Sequence, residues 1–276
     1  MATLSADLCS GQHPGGTEGK LSAGRLAGKV AIVTGASRGL GEYCALGYGR
    51  EGAAVVVAAR SEQESSRELP GTIYSTARTI TEAGGEALPL ACNVADRESI
   101  AAMVTAVMSR YGRIDVLMNN AGVLPVGDLS TIDPRHWELE FRINVHGPFH
   151  CSRAVLPHMI AQGGGSIINI TSAGARTASH YGITKRALEL FTIGLAAEQR
   201  DHGIAVNALK PVTAIETPGM FYGRSGAGSG SPGRRYPGPE RYVESAILLA
   251  LQTPATCTGQ VFDDAGATER LASPPA

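Results

Sequence analysis

The sequence predicts an α/β fold, a doubly wound sandwich with one mainly parallel sheet of about seven strands in a single domain. Three observations predict it. Short runs rich in Val, Ile and Ala alternate with longer segments of helical spacing. The short runs are apolar nearly throughout, which is typical of strands buried on both faces of a sheet. The longer segments have the length of crossover helices between parallel strands.

The elements follow in this alternating order along the chain. The apolar runs predict strands at 29–34, 53–59, 86–93, 114–119, 165–171, 204–209 and 260–263. The segments with apolar residues three or four positions apart predict helices at 40–51, 73–83, 97–111, 133–162, 181–202 and 239–251.

The two ends and one internal segment do not follow this pattern. Residues 1–28 are rich in Gly, Ala and Ser without a continuous apolar run, so we expect a disordered tail rather than a signal peptide or a membrane span. The domain is predicted over 29–268, with a second tail at 269–276. A Gly, Ser, Pro and Arg run predicts a flexible substrate loop near 221–239.

Charge and cysteine content exclude several classes of protein. Lys and Arg number 24 against 25 Asp and Glu, so the chain lacks the basic excess that binds nucleic acid or anionic membranes. The five cysteines include no C-x-x-C pair, which favours reduced thiols in the cytoplasm over disulfides or a zinc site. His146 and His150 are four apart, but Pro148 between them and the lack of a third ligand nearby argue against a metal.

A glycine-rich turn follows the first predicted strand directly. It reads Thr34-Gly35-Ala36-Ser37-Arg38-Gly39-Leu40-Gly41 and leads into a helix. Glycines there allow backbone N–H groups and the positive end of the helix dipole to approach a pyrophosphate. The strand-turn-helix context therefore predicts a dinucleotide site.

With Asn120-Ala121-Gly122 after a later strand and Tyr181-Gly182-Ile183-Thr184-Lys185 opening a helix, this turn resembles the short-chain dehydrogenase/reductase family over 28–266. The resemblance implies a Rossmann sandwich and an oxidoreductase that acts on a small alcohol or carbonyl compound. It also implies a homotetramer or dimer, compatible with the apolar faces of the helices around 137–158 and 181–197.

In that family, an acidic residue after the second strand holds the ribose of NAD, whereas basic residues accept the extra phosphate of NADP. Here Arg60 ends this strand and Arg38 lies in the glycine turn, so we expect NADP(H), with NAD(H) as the alternative. The resemblance implies the following cofactor-binding residues: Gly35, Ser37, Arg38, Gly39, Leu40, Gly41, Arg60, Asn93, Val94, Asn120, Ala121, Gly122, Tyr181, Lys185, Pro211, Ile215 and Thr217.

Tyr181 and Lys185 lie on one helix face because they are four residues apart. An ammonium beside a phenol lowers the pKa of the phenol, so Tyr181 is predicted to be an acid/base. The resemblance gives Ser172 contact with the substrate oxygen and gives Asn144 a proton relay. Ser172 precedes Tyr181 by only nine residues, so Thr171 is the alternative for its role.

The segments Leu69-Pro70-Gly71-Thr72-Ile73-Tyr74 and Lys210-Pro211-Val212-Thr213-Ala214-Ile215-Glu216-Thr217 resemble those of the hydroxysteroid-dehydrogenase-like and citronellol-dehydrogenase-like members. That resemblance implies an apolar substrate. Two other functions stay open: a sugar-nucleotide epimerase, which the glycine spacing disfavours, and a non-catalytic dinucleotide-binding or scaffold protein.

Overall fold

A parallel seven-stranded sheet forms the centre of the computed structural model, which describes residues 24–64, 70–215, 217 and 236–272. The strand order is β3-β2-β1-β4-β5-β6-β7, and every adjacent pair is parallel. The strands are β1 Val30–Thr34, β2 Ala54–Ala59, β3 Glu86–Ala91, β4 Val116–Asn119, β5 Gly165–Ile170, β6 Ile204–Lys210 and β7 Val261–Asp263. The order reverses between β1 and β4, where ligands of such sheets bind beside the carboxyl ends of the strands.

Helices cover both faces of the sheet. They are α1 Gly39–Arg50, α2 Ile73–Glu82, α3 Arg97–Tyr111, α4 Pro134–Phe141, α5 Gly147–Ala161, α6 His180–Gln199, α7 Glu240–Ala250 and α8 Asp264–Leu271. Ala31 and Val33 pack into one core with α1, α2 and α7, whereas Val30 and Ile32 pack into the other with α3, α5 and α6. Alternate residues of β1 thus enter opposite cores, which explains its continuous apolar sequence.

The predicted fold class is confirmed, with two local differences. The helix predicted at 133–162 is divided by a π-helical turn, Arg142–His146, between α4 and α5. Pro148 lacks the N–H that would donate to the carbonyl of Asn144 in a regular α-helix, so the hydrogen-bond pattern changes there. Helix α8 was not predicted, because its sequence is short and has little apolar periodicity.

Part of each predicted tail belongs to the folded domain. Leu26 is fully buried, and Arg25 forms ion pairs with Glu51 and Glu244, each at 2.6 Å. At the other end, α8 continues to Leu271. Residues 1–23, 218–235 and 273–276 lie outside the described residues, and the second of these ranges includes most of the predicted substrate loop, 221–239. No helix in the described ranges is both long and apolar enough to cross a membrane.

Candidate active site

The glycine turn between β1 and α1 brings the backbone close to the loop after β4. Gly35 and Gly39 have φ angles of +68° and +62°, which favour glycine. A Cβ on Gly35 would lie 2.8 Å from Cα of Ala121, and one on Gly41 would overlap the Asn120 side chain. Arg38 occupies the N-cap position without a side-chain capping bond, so the N-terminus of α1 keeps backbone N–H groups for an anion. The turn therefore fits a pyrophosphate.

Asn120 and Thr34 hold this turn in place. Nδ2 of Asn120 donates to the carbonyl oxygens of Thr34 (2.9 Å) and Gly35 (3.2 Å). Oγ1 of Thr34 accepts from the backbone N–H groups of Asn120 (3.0 Å) and Ala121 (3.1 Å). Asn120 thus joins the β4 loop to the glycine turn, which is a structural contribution to the site.

A cleft of about 350 Å³ opens over the carboxyl ends of β1, β2 and β4. Most predicted cofactor-binding residues line it: Gly35, Ser37, Arg38, Gly39, Leu40, Gly41, Arg60, Asn93, Val94, Asn120, Ala121, Gly122 and Thr217. Sequence reasoning missed Ala59, Ser61, Cys92, Val123 and Ile143, which also line the cleft. These five lie beside the predicted motifs but carry no motif of their own.

The remaining predicted cofactor residues lie elsewhere. Tyr181 and Lys185 lie on α6. Gly122 belongs to the cleft wall, and a Cβ atom added to it would lie 3.5 Å from Nζ of Lys185, so the ammonium is close to that wall. Pro211 directly follows β6 and does not line the cleft. Ile215 is 6% exposed and belongs to the hydrophobic core.

Two arginines lie at the β2 end of the cleft. Nη2 of Arg38 donates to Oγ of Ser61 (3.1 Å) and to the carbonyl oxygen of Gly71 (2.9 Å), while Arg60 is exposed. Among the residues the structure describes, no Asp or Glu lines this cleft. The electrostatics here favour an anionic ligand.

Tyr181 and Ser172 come together despite the short separation in sequence. A 3-10 turn, Ala173–Arg176, fills the gap, and Oγ of Ser172 accepts from the N–H of Gly174 (3.1 Å) at its start. The Ser172 side chain also lies close enough to Tyr181 to lower the pKa of the phenol. Oγ1 of Thr171, the alternative, donates instead to the carbonyl oxygen of Lys185 (3.3 Å). The geometry therefore places Ser172, and not the Thr171 hydroxyl, beside Tyr181.

The electrostatics of Tyr181 and Lys185 differ from the sequence expectation. Burial raises the pKa of Tyr181 to about 12, against the opposing effect of Ser172. Burial also lowers the pKa of Lys185 to about 8, although the negative charge of Glu140 opposes the change. Nζ of Lys185 donates to the carbonyl oxygen of Ile170 (2.8 Å) and lies 5.5 Å from the Tyr181 ring centroid. The expected lowering of the Tyr181 pKa by Lys185 is therefore wrong in this arrangement, because desolvation dominates.

Asn144 lies in the π-helical turn and is fully buried. Its Oδ1 accepts from the N–H of Val123, and its Nδ2 donates to the carbonyl oxygen of Val123, both at 2.9 Å. Nδ2 also lies 3.2 Å from Oγ1 of Thr184. The carboxamide thus holds the β4 loop against α6, while its relay role stays a prediction.

Sequence reasoning missed two buried pairs of titratable groups beside these residues. Nδ1 of His180 lies 2.6 Å from Oε2 of Glu140, and the exposed fractions of the two residues are 4% and 0%. On the next turns of α6, Glu189 accepts from Nζ of Lys210 (3.3 Å). The position of His180 directly before Tyr181 was a possible signal, whereas the Glu140 contact depends on the tertiary fold.

The two surface histidines lie apart from the cleft. The ring centroids of His146 and His150 are 6.4 Å apart. Within the described ranges, no three His, Cys, Asp or Glu residues come together as a metal site would require.

Comparison with known proteins gives consistent matches. Residues 29–221 match the family model for short chain dehydrogenase. The chain is 35% identical over 213 residues to hydroxysteroid dehydrogenase-like protein 2 of Bos taurus, covering 75% of this chain and 50% of the relative. It is 40% identical over 185 residues to short-chain reductase protein NovJ of Streptomyces niveus, covering 66% and 68%. The chain spans about half the length of the hydroxysteroid dehydrogenase-like relatives it matches.

A solved structure matches over most of both chains. The gluconate 5-dehydrogenase of Burkholderia cenocepacia, crystallised with NADP and tartrate, superposes with a TM-score of 0.74 at 30% identity. The match covers 89% of this chain and 97% of that one.

Proposed function

This chain belongs to the short-chain dehydrogenase family, and we propose that it is an oxidoreductase that transfers a hydride between NADP(H) and an alcohol or carbonyl substrate. One observation carries the proposal: Ser172, Tyr181 and the buried Lys185 converge beside the wall of the dinucleotide cleft, and Ser172 lies close enough to lower the pKa of the Tyr181 phenol. A non-catalytic binding protein does not require a buried ammonium next to a buried phenol.

Each side chain has a defined role in this proposal. Bound NADP(H) would supply or accept the hydride, held by the glycine turn and the N-terminus of α1. Tyr181 donates its proton to the substrate oxygen in reduction and accepts it in oxidation. Ser172 donates a hydrogen bond to the same oxygen and so orients the carbonyl. The positive charge of Lys185, 5.5 Å from the Tyr181 ring centroid, opposes the desolvation cost of the phenolate as it forms without overcoming it.

Two features support NADP(H) over NAD(H). Arg38 and Arg60 line the β2 end of the cleft, where no described residue supplies a carboxylate, and guanidinium groups bind phosphate through charge-assisted hydrogen bonds. The similar gluconate 5-dehydrogenase was crystallised with NADP. An enzyme that prefers NAD(H) is the competing candidate.

An apolar substrate is supported by the loop after β4. Leu124 and Val126 are 58% and 60% exposed, although their neighbours Val123 and Gly127 are bound to Asn144 and His180. These exposed apolar side chains lie on a loop whose two ends are hydrogen-bonded, beside α6, the helix that carries Tyr181. They form a surface suited to an apolar substrate.

The test is the change in nicotinamide absorbance across a panel of apolar alcohols and ketones with each cofactor. We expect turnover with NADP(H) that exceeds turnover with NAD(H). Turnover only with NAD(H) would overturn the cofactor assignment. Tight NADPH binding without turnover of any compound would favour a non-catalytic protein.

The pH dependence should follow the charge of Lys185. With a pKa of about 8, its ammonium is present below pH 8 and is lost as the pH rises, while Tyr181 stays protonated until about pH 12. Reduction needs the Tyr181 proton and the positive charge of Lys185, so kcat/KM for a ketone should be level at low pH and fall as the pH rises through 8. Initial rates between pH 6 and 10 measure this. A profile that stays level to pH 10 would contradict the assignment.

We also propose a homo-oligomer, since exposed apolar side chains follow one face of α6. Ile183, Leu190 and Ile193 are 39%, 59% and 48% exposed. Glutamate at Leu190 and Ile193 together should at least halve the mass measured by sedimentation, because a buried charge without a partner opposes association. An unchanged mass would exclude this face as the interface.

The proposed location is the cytoplasm. Cys44, Cys92, Cys151 and Cys257 are free thiols in the structure, which fits a reducing compartment. Fractionation of cells that express the protein would test this, and recovery outside the cytosolic fraction would contradict it.

A further inference from the structure

Glu140 and His180 form a buried, hydrogen-bonded pair beside Tyr181. His180 is the first residue of α6 and directly precedes Tyr181, while Glu140 lies on α4. Nδ1 of His180 lies 2.6 Å from Oε2 of Glu140, and Nε2 lies 2.9 Å from the carbonyl oxygen of Gly127. The pair therefore connects three segments: the catalytic helix, α4 and the loop after β4.

The protons of this pair can be assigned from its partners. A carbonyl oxygen only accepts, so Nε2 of His180 must carry a proton and donate it to Gly127. A second proton lies between Nδ1 and Oε2 of Glu140. The net charge of the pair is zero whichever atom holds that proton, so the pair is compatible with its full burial.

Glu140 also reaches the second fixed point of the same loop. Its Oε1 lies 3.5 Å from both Nδ2 of Asn144 and Oγ1 of Thr184. Asn144 in turn binds the backbone N–H and carbonyl of Val123. The loop is thus fastened at Val123 and at Gly127, and both attachments lead to Glu140. Leu124 and Val126 lie between these two points.

Stability alone does not account for a buried charged pair. Apolar residues of similar volume often stabilise a protein as well as such a pair or better, because removing two charged groups from water is costly. What an apolar pair cannot supply is the directed hydrogen bond to Gly127 and the link to Asn144. The pair therefore contributes to the position of the loop after β4 rather than to stability through buried apolar surface.

We propose that Glu140 and His180 are positioning residues, which fix the loop between Val123 and Gly127 against the catalytic helix and thereby set how the substrate meets Tyr181. The inference rests on the proposed function, since it assigns this loop to substrate binding. Neither residue of the pair lines the dinucleotide cleft.

The principal variant replaces both residues with apolar ones, Glu140→Met with His180→Phe. We expect the melting temperature to change little, the KM for a ketone substrate to rise at least tenfold, and the Kd for NADPH, measured by fluorescence, to stay unchanged. Glu140→Gln is the conservative rescue: its amide can donate to Nδ1 of His180 while its oxygen still accepts from Asn144, so KM should remain near the wild-type value. Glu138→Gln, on the exposed side of α4, is the matched control.

Hydrogen–deuterium exchange tests the positioning without any turnover. The backbone amides of residues 123–129 should exchange at least tenfold faster in the double variant and at the wild-type rate in Glu140→Gln. A folded double variant with wild-type exchange and wild-type KM would overturn the proposal. If the wild type turns over no substrate and the double variant still shows faster exchange, the positioning role is supported and the proposed function is rejected.

If the double variant does not fold, His180→Asn takes its place, because asparagine keeps a donor for Glu140 but cannot also reach Gly127. The same faster exchange is expected at 123–129. Unchanged exchange in His180→Asn would overturn the proposal.

Discussion

Replacement of Tyr181 with phenylalanine is expected to lower kcat for ketone reduction by about 10³-fold, within the range of about 10² to 10⁴ that general acid catalysis contributes. The variant loses only the phenolic oxygen, which carries the proton whose pKa Ser172 lowers. Stopped assays with high enzyme concentration would measure the residual rate.

Control measurements must show that the loss of kcat comes from the chemical step and not from misfolding of the variant. The ring of Tyr181 remains in Tyr181→Phe, so the melting temperature and the Kd for NADPH should match those of the wild type. Tyr111→Phe, at the end of α3 and away from the cleft, is the matched control and should keep full activity. A Tyr181→Phe variant with more than a tenth of wild-type kcat would remove Tyr181 from the mechanism.

The elements that sequence reasoning predicted well are those with a local signal. Near-continuous apolar runs such as 29–34 and 204–209 identify strands of a parallel sheet, and the sheet contains them at β1 and β6. The glycine turn is also local, since its φ angles and its close approach to Ala121 both exclude a side chain at Gly35. Patterns of this kind need no knowledge of distant contacts.

The features that sequence reasoning missed depend on contacts across the fold. Glu140 and His180 are 40 residues apart, and no spacing rule joins them. The nine-residue separation of Ser172 and Tyr181 left Thr171 as an alternative, and only the 3-10 turn between them shows how Ser172 reaches the phenol. The pKa of Tyr181 was misjudged for the same reason, since burial is a property of the assembled structure.

The second large effect is expected from the arginines at the β2 end of the cleft. Arg38→Ala with Arg60→Ala should raise the KM for NADPH about 100-fold and leave the KM for NADH within about threefold. Each charge-assisted hydrogen bond to a phosphate contributes about 1.5–3 kcal/mol, and the exposure of Arg60 places its share at the low end. Steady-state kinetics with both cofactors at a saturating substrate concentration would measure the change.

Comparing the KM values for NADPH and NADH distinguishes recognition of the extra phosphate from structural support of the segment after β2. Arg38 also donates hydrogen bonds to Ser61 and Gly71. If its main role is to hold the segment after β2, its loss will weaken the binding of NADPH and NADH to the same degree. Arg60→Ala alone leaves those two bonds intact and should still lower the NADPH preference about tenfold. Arg78→Ala, an exposed arginine on α2, is the control and should change neither KM. Equal losses for NADPH and NADH in the double variant would assign the two arginines to holding the loop, and the preference for the phosphorylated cofactor would then need another source.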